Sequence, residues 1–400
     1  MEWISERIKN LAESETLAMT RKCRELAAKG HQVINLSIGE PDFDTPDFIK
    51  EAGKLAIDQN YTHYPPVAGY PELREAISKK LKRDNKLDYK PEQIIVSAGA
   101  KHSIANAILA LVDPGDEVLV PVPYWVSYKE LVKLAGGVPV FIEAPISQNF
   151  KITPEQLEAS ITPRTKLMIY SSPCNPSGSV YTKEELQGLA RVLENHPRVH
   201  VISDEIYEHI NFMGRHESIA QFGEIRNQVI LINGVSKGFS MTGWRLGYMA
   251  AALPIAKACD KLQGQVTSGI CTISQRAAIT ALLADPTESE DLKNMQQAFL
   301  QRRQLVLRLL REIPGIIVND PDGAFYVFPN FSAYFGKMNG SQKIENCDDL
   351  CDYILNQAHV ATVAGSAFGN QNCIRISYAT SEEKLTEAIA RIRKALEILS

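Results

Sequence analysis

The 400-residue chain contains no apolar run approaching membrane-spanning length, so no transmembrane helix is expected. Its first nine residues, Met1 to Lys9, are charged throughout and hold no apolar signal core, which leaves the cytoplasm as the expected compartment. Seven cysteines (Cys23, Cys174, Cys259, Cys271, Cys347, Cys351 and Cys373) are scattered, odd in number and form no CxxC pair. Neither a disulfide framework nor a zinc site is therefore indicated. No basic tract or helix-turn-helix extension stands ahead of the folded region, and a net charge of −4 gives no reason to expect nucleic-acid binding. Repeats and low-complexity segments are lacking too. No GxGxxG follows the first strand, which removes the main sign of a nicotinamide dehydrogenase.

What the chain does have is the composition of a globular protein, 44% hydrophobic and 22% charged. Its length makes two domains the natural expectation. From about residue 92 to 250, short apolar strands alternate with amphipathic helices. The strands are Gln93–Val96, Glu117–Val120, Val138–Ile142, Lys166–Tyr170, Val199–Ile202 and Val229–Ile232. Continuous β-branched runs predict strands buried on both faces, hence an α/β fold with a mostly parallel central sheet flanked by helices. Ligands of such a sheet sit at the carboxyl ends of its strands. After Asp285-Pro286 the pattern changes to a long charged helix from about Ser289 to Glu312. The segment Gly323–Phe328 and a C-terminal helix from Glu382 to Leu399 follow, and these read as a smaller α+β domain. The expected division is 1–45 as an N-terminal arm with part of the smaller domain, 46–285 as the large domain and 286–400 as the small one.

Several strand ends carry chemistry. Ser236-Lys237 follows the run Val229–Ile232, with Arg245 eight residues beyond the lysine. A lysine at the end of a buried strand is costly unless paired or neutral, and a neutral amine can bond an aldehyde. Ser171 to Gly178 form a turn in which Asn175 sits between two prolines, a fixed hydrogen-bonding group. Asp204, after Val199–Ile202, needs a cation or several hydrogen bonds, and capping a helix is its plainer use. Tyr207 lies one turn on. Gly99 permits close approach of backbone, and Ala100 opens a helix whose N–H groups can bind a phosphate. Trp125 offers a flat ring for stacking, although a core role is commoner for tryptophan. Arg375 interrupts an apolar strand, where its planar fork suits either an internal carboxylate or that of a substrate.

Taken in order, Gly39–Phe43 (Gly-Glu-Pro-Asp-Phe), Tyr64–Gly69, Asn175-Pro176, Asp204–Tyr207, Ser236-Lys237, Gly243–Arg245 and Arg375 resemble the class I and II aminotransferases that depend on pyridoxal phosphate, fold type I. The likeness covers essentially the whole chain and is greatest to the bacterial aspartate aminotransferases of subgroup Ib. It implies that Lys237 bonds the cofactor aldehyde, Asp204 pairs with the ring nitrogen, and Asn175 and Tyr207 contact the ring oxygen. Trp125 would stack on the ring. Gly99, Ala100, Lys101, Ser236 and Arg245 would line the cofactor and its phosphate, with Tyr64 supplied by the second subunit of a homodimer. Arg375 would bind the substrate α-carboxylate, helped by Gly39, Trp125 and Asn175. One departure is visible: Gly234 stands where many members carry serine, three residues before the lysine.

A lysine matching Lys101 reads the distal carboxylate of acidic substrates in this subgroup, with help from a Ser-x-Thr matching Ser14 and Thr16. Aspartate and glutamate are therefore the expected amino donors, with 2-oxo acids as partners and no metal. An ammonium makes no demand for fork geometry, so an aspartate/prephenate or broad aromatic aminotransferase is the alternative. Within the same fold, a β-lyase or an aminocyclopropane-carboxylate synthase would use the same lysine and arginine, and a catalytically silent aminotransferase-like binding module is the rival from another class. The expected reaction is a ping-pong amino transfer in which the freed amine of Lys237 is general base.

Overall fold

The computed structural model describes residues 3–13 and 15–400, except the side chains of residues 15–17 and 20. Its centre is a seven-stranded sheet. The strands are β1 (Ile94–Ser97), β2 (Glu117–Val122), β3 (Val138–Glu143), β4 (Thr165–Ser171), β5 (His200–Asp204), β6 (Val229–Gly234) and β7 (Gly247–Ala250). They lie in the order β1-β7-β6-β5-β4-β2-β3. The pairings β3–β2–β4–β5–β6 are parallel, while β7 runs antiparallel to both neighbours, β1 and β6. The mostly parallel sheet expected from the apolar runs is present. The sequence pattern missed β7, four residues that begin two positions after Arg245.

Side-chain alternation explains why these strands read as unbroken apolar runs. Val118, Val120, Leu167, Ile169, Ile202, Ile230 and Ile232 face one cluster, and Leu119, Met168, Val201, Val229 and Leu231 face the other. Both faces are covered by helices, so alternation carries no polar side. Helix starts follow local chemistry. Thr153 with Gln156, and Thr182 with Glu185, form capping boxes that satisfy backbone donors on Pro154–Ser160 and Lys183–Glu194.

The antiparallel direction of β7 matters for what sits at its start. Gly247 pairs with Ser97 of β1 and with Gly234 of β6, so the turn before β7 lies beside the carboxyl ends of both strands. Arg245 is thereby brought to Gly99 and Ser236. Packing is tight enough to require glycine here. A Cβ on Gly247 would lie 2.2 Å from the Ala100 nitrogen, and one on Gly234 would lie 2.9 Å from the Gly247 Cα. The second contact gives a physical reason for glycine at 234 in place of serine.

The C-terminal region holds the antiparallel strands Val363–Ala364, Ile374–Ser377 and Tyr326–Val327, with helices Glu290–Arg311, Cys347–Ala358 and Glu382–Glu397. An N-terminal strand, Ile34–Asn35, joins it by pairing in parallel with Val360–Ala361. Among the described residues no helix is long and apolar enough to cross a membrane.

Candidate active site

A cavity of about 300 Å³ opens where the carboxyl ends of β4, β5 and β6 meet the C-terminal region. Gly39, Ala100, Lys101, Trp125, Asn175, Asp204, Tyr207, Ser236, Lys237, Arg245 and Arg375 all line it. Residues from 39 to 375 thus converge on one space.

One end is built for an anion. Gly99 adopts φ +87°, and a Cβ there would lie 2.3 Å from Arg245 Nη2, so only glycine lets the guanidinium reach this turn. The helix Ala100–Leu111 begins at this point and leaves its first N–H groups without intrahelical acceptors. Arg245 donates from Nη1 to the Thr242 carbonyl at 2.8 Å and from Nη2 to the Ala98 carbonyl at 3.3 Å.

The middle holds a lysine and a carboxylate. Lys237 Nζ donates to the Gly39 carbonyl and lies 5.8 Å from the Tyr207 ring centre. Burial, with the positive charges of Arg375 and Arg245 against the raising effect of Glu40, pulls its pKa down to about 8. About a tenth of such an amine is already uncharged at neutral pH. Asp204 is 5% exposed, accepts from the Tyr128 hydroxyl at 2.7 Å and the Ile206 N–H at 3.3 Å, and has no ion-pair partner among the described residues. Burial raises its pKa to about 6 despite those two bonds.

Arg375 occupies the other end and is 2% exposed. It donates to Asn175 Oδ1 at 3.0 Å and the Ser37 carbonyl at 2.6 Å, its plane lying over Tyr326 and Phe368. Its Nε has no partner, and no carboxylate pairs with it among the described residues. The internal salt bridge that would have explained a buried arginine is not there.

Other expected residues fall differently. Tyr64 is 95% exposed and does not line this cavity. Gly99 backs Arg245 without lining the space. Ser14 and the side chain of Thr16 lie outside the described residues. Lys101 sits with its Nζ 4.8 Å over the Trp125 ring, and burial followed by the charge of Arg245 lowers its pKa. Two tyrosines were missed. Tyr128 contacts Asp204, and Tyr326 bonds the Tyr207 hydroxyl at 2.9 Å while stacking on Arg375. Tyr128 stands three residues past Trp125, the spacing of one helical turn, and that was its one available signal.

A family model described as aminotransferase class I and II matches residues 31–392. The chain belongs to this family. Over 396 residues it is 46% identical to the aspartate/prephenate aminotransferase of Cereibacter sphaeroides, covering 98% of each chain. It is likewise 46% identical to the aspartate aminotransferase of Geobacillus stearothermophilus, covering 98% of this chain and 99% of that one. The crystal structure of the aspartate aminotransferase from Rhizobium meliloti superposes with a TM-score of 0.96 at 42% identity, covering 99% of both chains.

A second buried cluster lies just behind the aminotransferase cavity. Glu205, Glu208 and His216 place ligand-type atoms within 4.8 Å of one another. Here the cation is already supplied by the protein, because Lys80 Nζ bonds Glu208 and donates to Asn85 Oδ1 at 2.9 Å. Glu205 accepts from Ser203 at 2.8 Å and Ser218 at 2.6 Å, with His216 Nε2 at 2.9 Å. These donors complete the cluster.

Proposed function

We propose that the cavity binds pyridoxal phosphate and carries out ping-pong amino transfer between L-aspartate and 2-oxoglutarate, giving oxaloacetate and L-glutamate. The observation that carries this reading is the unpaired Arg375 guanidinium, buried in the same space as a low-pKa lysine and an unpaired carboxylate. The cavity's chemistry fits the cofactor at three points: a glycine-cradled anion seat, a carboxylate lacking its cation, and an amine at the wall.

When bound, pyridoxal phosphate supplies an aldehyde that amines bond and a ring that accepts the electron pair left when Cα loses a proton. Ser236, Arg245 and the N–H groups opening the helix at Ala100 hold the phosphate. Trp125 packs on the ring, while Asn175 and Tyr207 orient it through its oxygen. Asp204 keeps a proton on the ring nitrogen by offering it a buried negative charge. Arg375 grips the substrate α-carboxylate through its free Nε–H edge, with Gly39 and Asn175 beside it. Lys237 would take the proton from the substrate Cα at its Nζ and hold it there for return. Lys101 reads the distal carboxylate, a point charge that favours acidic side chains, aided by Ser14 and Thr16.

The protein is read as a cytoplasmic homodimer in which the exposed Tyr64 completes the partner's phosphate site. Its large domain is taken as 46–285 and its small one as 1–45 with 286–400. Incubating the purified protein with pyridoxal phosphate, aspartate and 2-oxoglutarate tests the reading. Oxaloacetate and glutamate should form in equal amounts. No turnover of this pair, with pyruvate, ammonia and chloride released from β-chloroalanine and water instead, would identify a β-lyase and contradict it.

A further inference from the structure

We propose that Tyr128 is a positioning residue for this reaction: its hydroxyl holds one oxygen of Asp204 and keeps that carboxylate ionised toward the cavity. The inference rests on the pyridoxal-phosphate reading and adds a residue outside the motifs that led to it.

Asp204 is a buried charge with very little support. Oδ1 takes a single long bond from the Ile206 N–H at 3.3 Å, and Oδ2 takes the Tyr128 hydroxyl at 2.7 Å. Tyr128 is the one side chain among the described residues that hydrogen-bonds this carboxylate. The groups whose charge bears on it are Glu205 beside it in sequence, Lys237 from the turn after β6, Tyr207 and Cys174. Glu205 disfavours its ionisation and Lys237 favours it only when charged. The effect of Lys237 is the smallest of those acting on Asp204 and the Tyr128 hydrogen bond is the largest that favours its charge, so the weight falls on the phenol.

The phenol is built to be a constant donor. Tyr128 is 1% exposed, sits near the start of the helix Ser127–Leu134, and meets the Trp125 ring edge-on at 5.5 Å and 83°. Burial, then the Asp204 charge and the shared bond, raise its own pKa well above the usual phenol value, so it keeps its proton throughout the working range. A short O–H···O⁻ bond in a dry site is among the stronger neutral-to-charged contacts. Two functions follow. The bond fixes the carboxylate rotamer, leaving the remaining lone pairs to the cavity. It also lowers the cost of the ionised form, which is the form able to hold a proton on the ring nitrogen.

Tyr128→Phe tests this, because it removes one oxygen and leaves the packed ring. In the full-length unloaded protein with carbon-13 labelled aspartate, the Asp204 carboxyl signal, assigned with Asp204→Asn, should titrate roughly one to two pH units higher than in wild type. The variant should bind pyridoxal phosphate about ten-fold more weakly or worse, and kcat should fall roughly ten-fold or more with little change in KM for aspartate. Fluorotyrosine at position 128 keeps the donor and should restore cofactor affinity and kcat. An unmoved titration and an unchanged cofactor affinity, in a protein whose wild type binds pyridoxal phosphate, would overturn the role of Tyr128 alone. A wild type that takes up no pyridoxal phosphate would overturn the functional reading and this inference with it.

Discussion

Asp204 and Glu205 are adjacent, both buried at the end of β5, and the protein treats them in opposite ways. Glu205 is enclosed by Ser203, Ser218 and His216, in a cluster that also contains the Lys80–Glu208 ion pair. Asp204 receives one phenol, one long backbone bond and no cation. The lysines divide the same way. Lys80 is closed by Glu208 and Asn85, whereas Lys237 reaches only a backbone carbonyl. A buried charge is tolerable when its partner folds with it and expensive when it does not. The paired cluster therefore belongs to the architecture. The unpaired charges of Asp204, Lys237 and Arg375 are complete only once a ligand arrives.

The contrast can be broken or sharpened by experiment. Lys237→Ala should cut transamination roughly 10⁴-fold or more while pyridoxal phosphate still associates, read by steady-state rates and cofactor titration. Substantial turnover in that variant would remove the proposed base. Lys80→Met should act on the other side of the divide, destabilising the fold by about 3–5 kcal/mol because it strands the Glu208 carboxylate. A denaturant series would show it, and loss of activity without loss of stability would erase the distinction.

Asp204 and Glu208, one from each group, should also respond to pH with opposite signs. The folded-state pKa of Asp204, about 6, lies above its ordinary 3.8, so its contribution is fully present below the ordinary value. It is lost as pH rises through 6, about 3 kcal/mol in all. Glu208 is the reverse. Burial pushes its pKa up, but the charges of Lys80, His209 and His216 and the Lys80 hydrogen bond more than offset this and hold it well below the usual range. Its contribution is present at neutral pH and lost on acidification. Urea unfolding of the unloaded protein between pH 2.5 and 8 reads the Asp204 loss at the upper end and the onset of the Glu208 loss below pH 4.5, and Asp204→Asn should remove only the loss at the upper end. Identical curves for wild type and Asp204→Asn would show that Asp204 is not strained.

Smaller effects belong to substrate recognition. Arg375→Lys keeps the charge and discards the fork, so kcat/KM for aspartate should fall roughly 10²-fold. Lys101→Ala should lower kcat/KM for aspartate about ten-fold and for phenylalanine by less. Equal losses for the two substrates would show that Lys101 does not read the side chain.

Much of this was legible in the chain, and the reasons for the rest are physical. Strand-end chemistry is local: Asp204, Ser236 and Lys237 each lie within five residues of the end of an apolar run, so sequence order places them on the sheet rim. Strand β7 escaped because its four residues, Gly247–Ala250, come directly after the turn at Arg245 with no break in pattern. Tyr128 and Tyr326 escaped because their partners lie 76 and 119 positions away, and the spacing of Tyr128 from Trp125 does not by itself point to Asp204. The Lys80–Glu208 pair spans 128 positions, and from sequence alone Lys80 is one more charge on an amphipathic helix. Arg375 was visible as an oddity inside an apolar strand, but only the fold shows that no protein carboxylate answers it among the described residues.

The most direct test of the account loads the protein with pyridoxal phosphate, reduces it with borohydride and maps the modified peptide. A pyridoxyl group on Lys237, and on no other lysine in stoichiometric amount, is the predicted result. An unmodified Lys237, or stoichiometric labelling of Lys101 in its place, would contradict it.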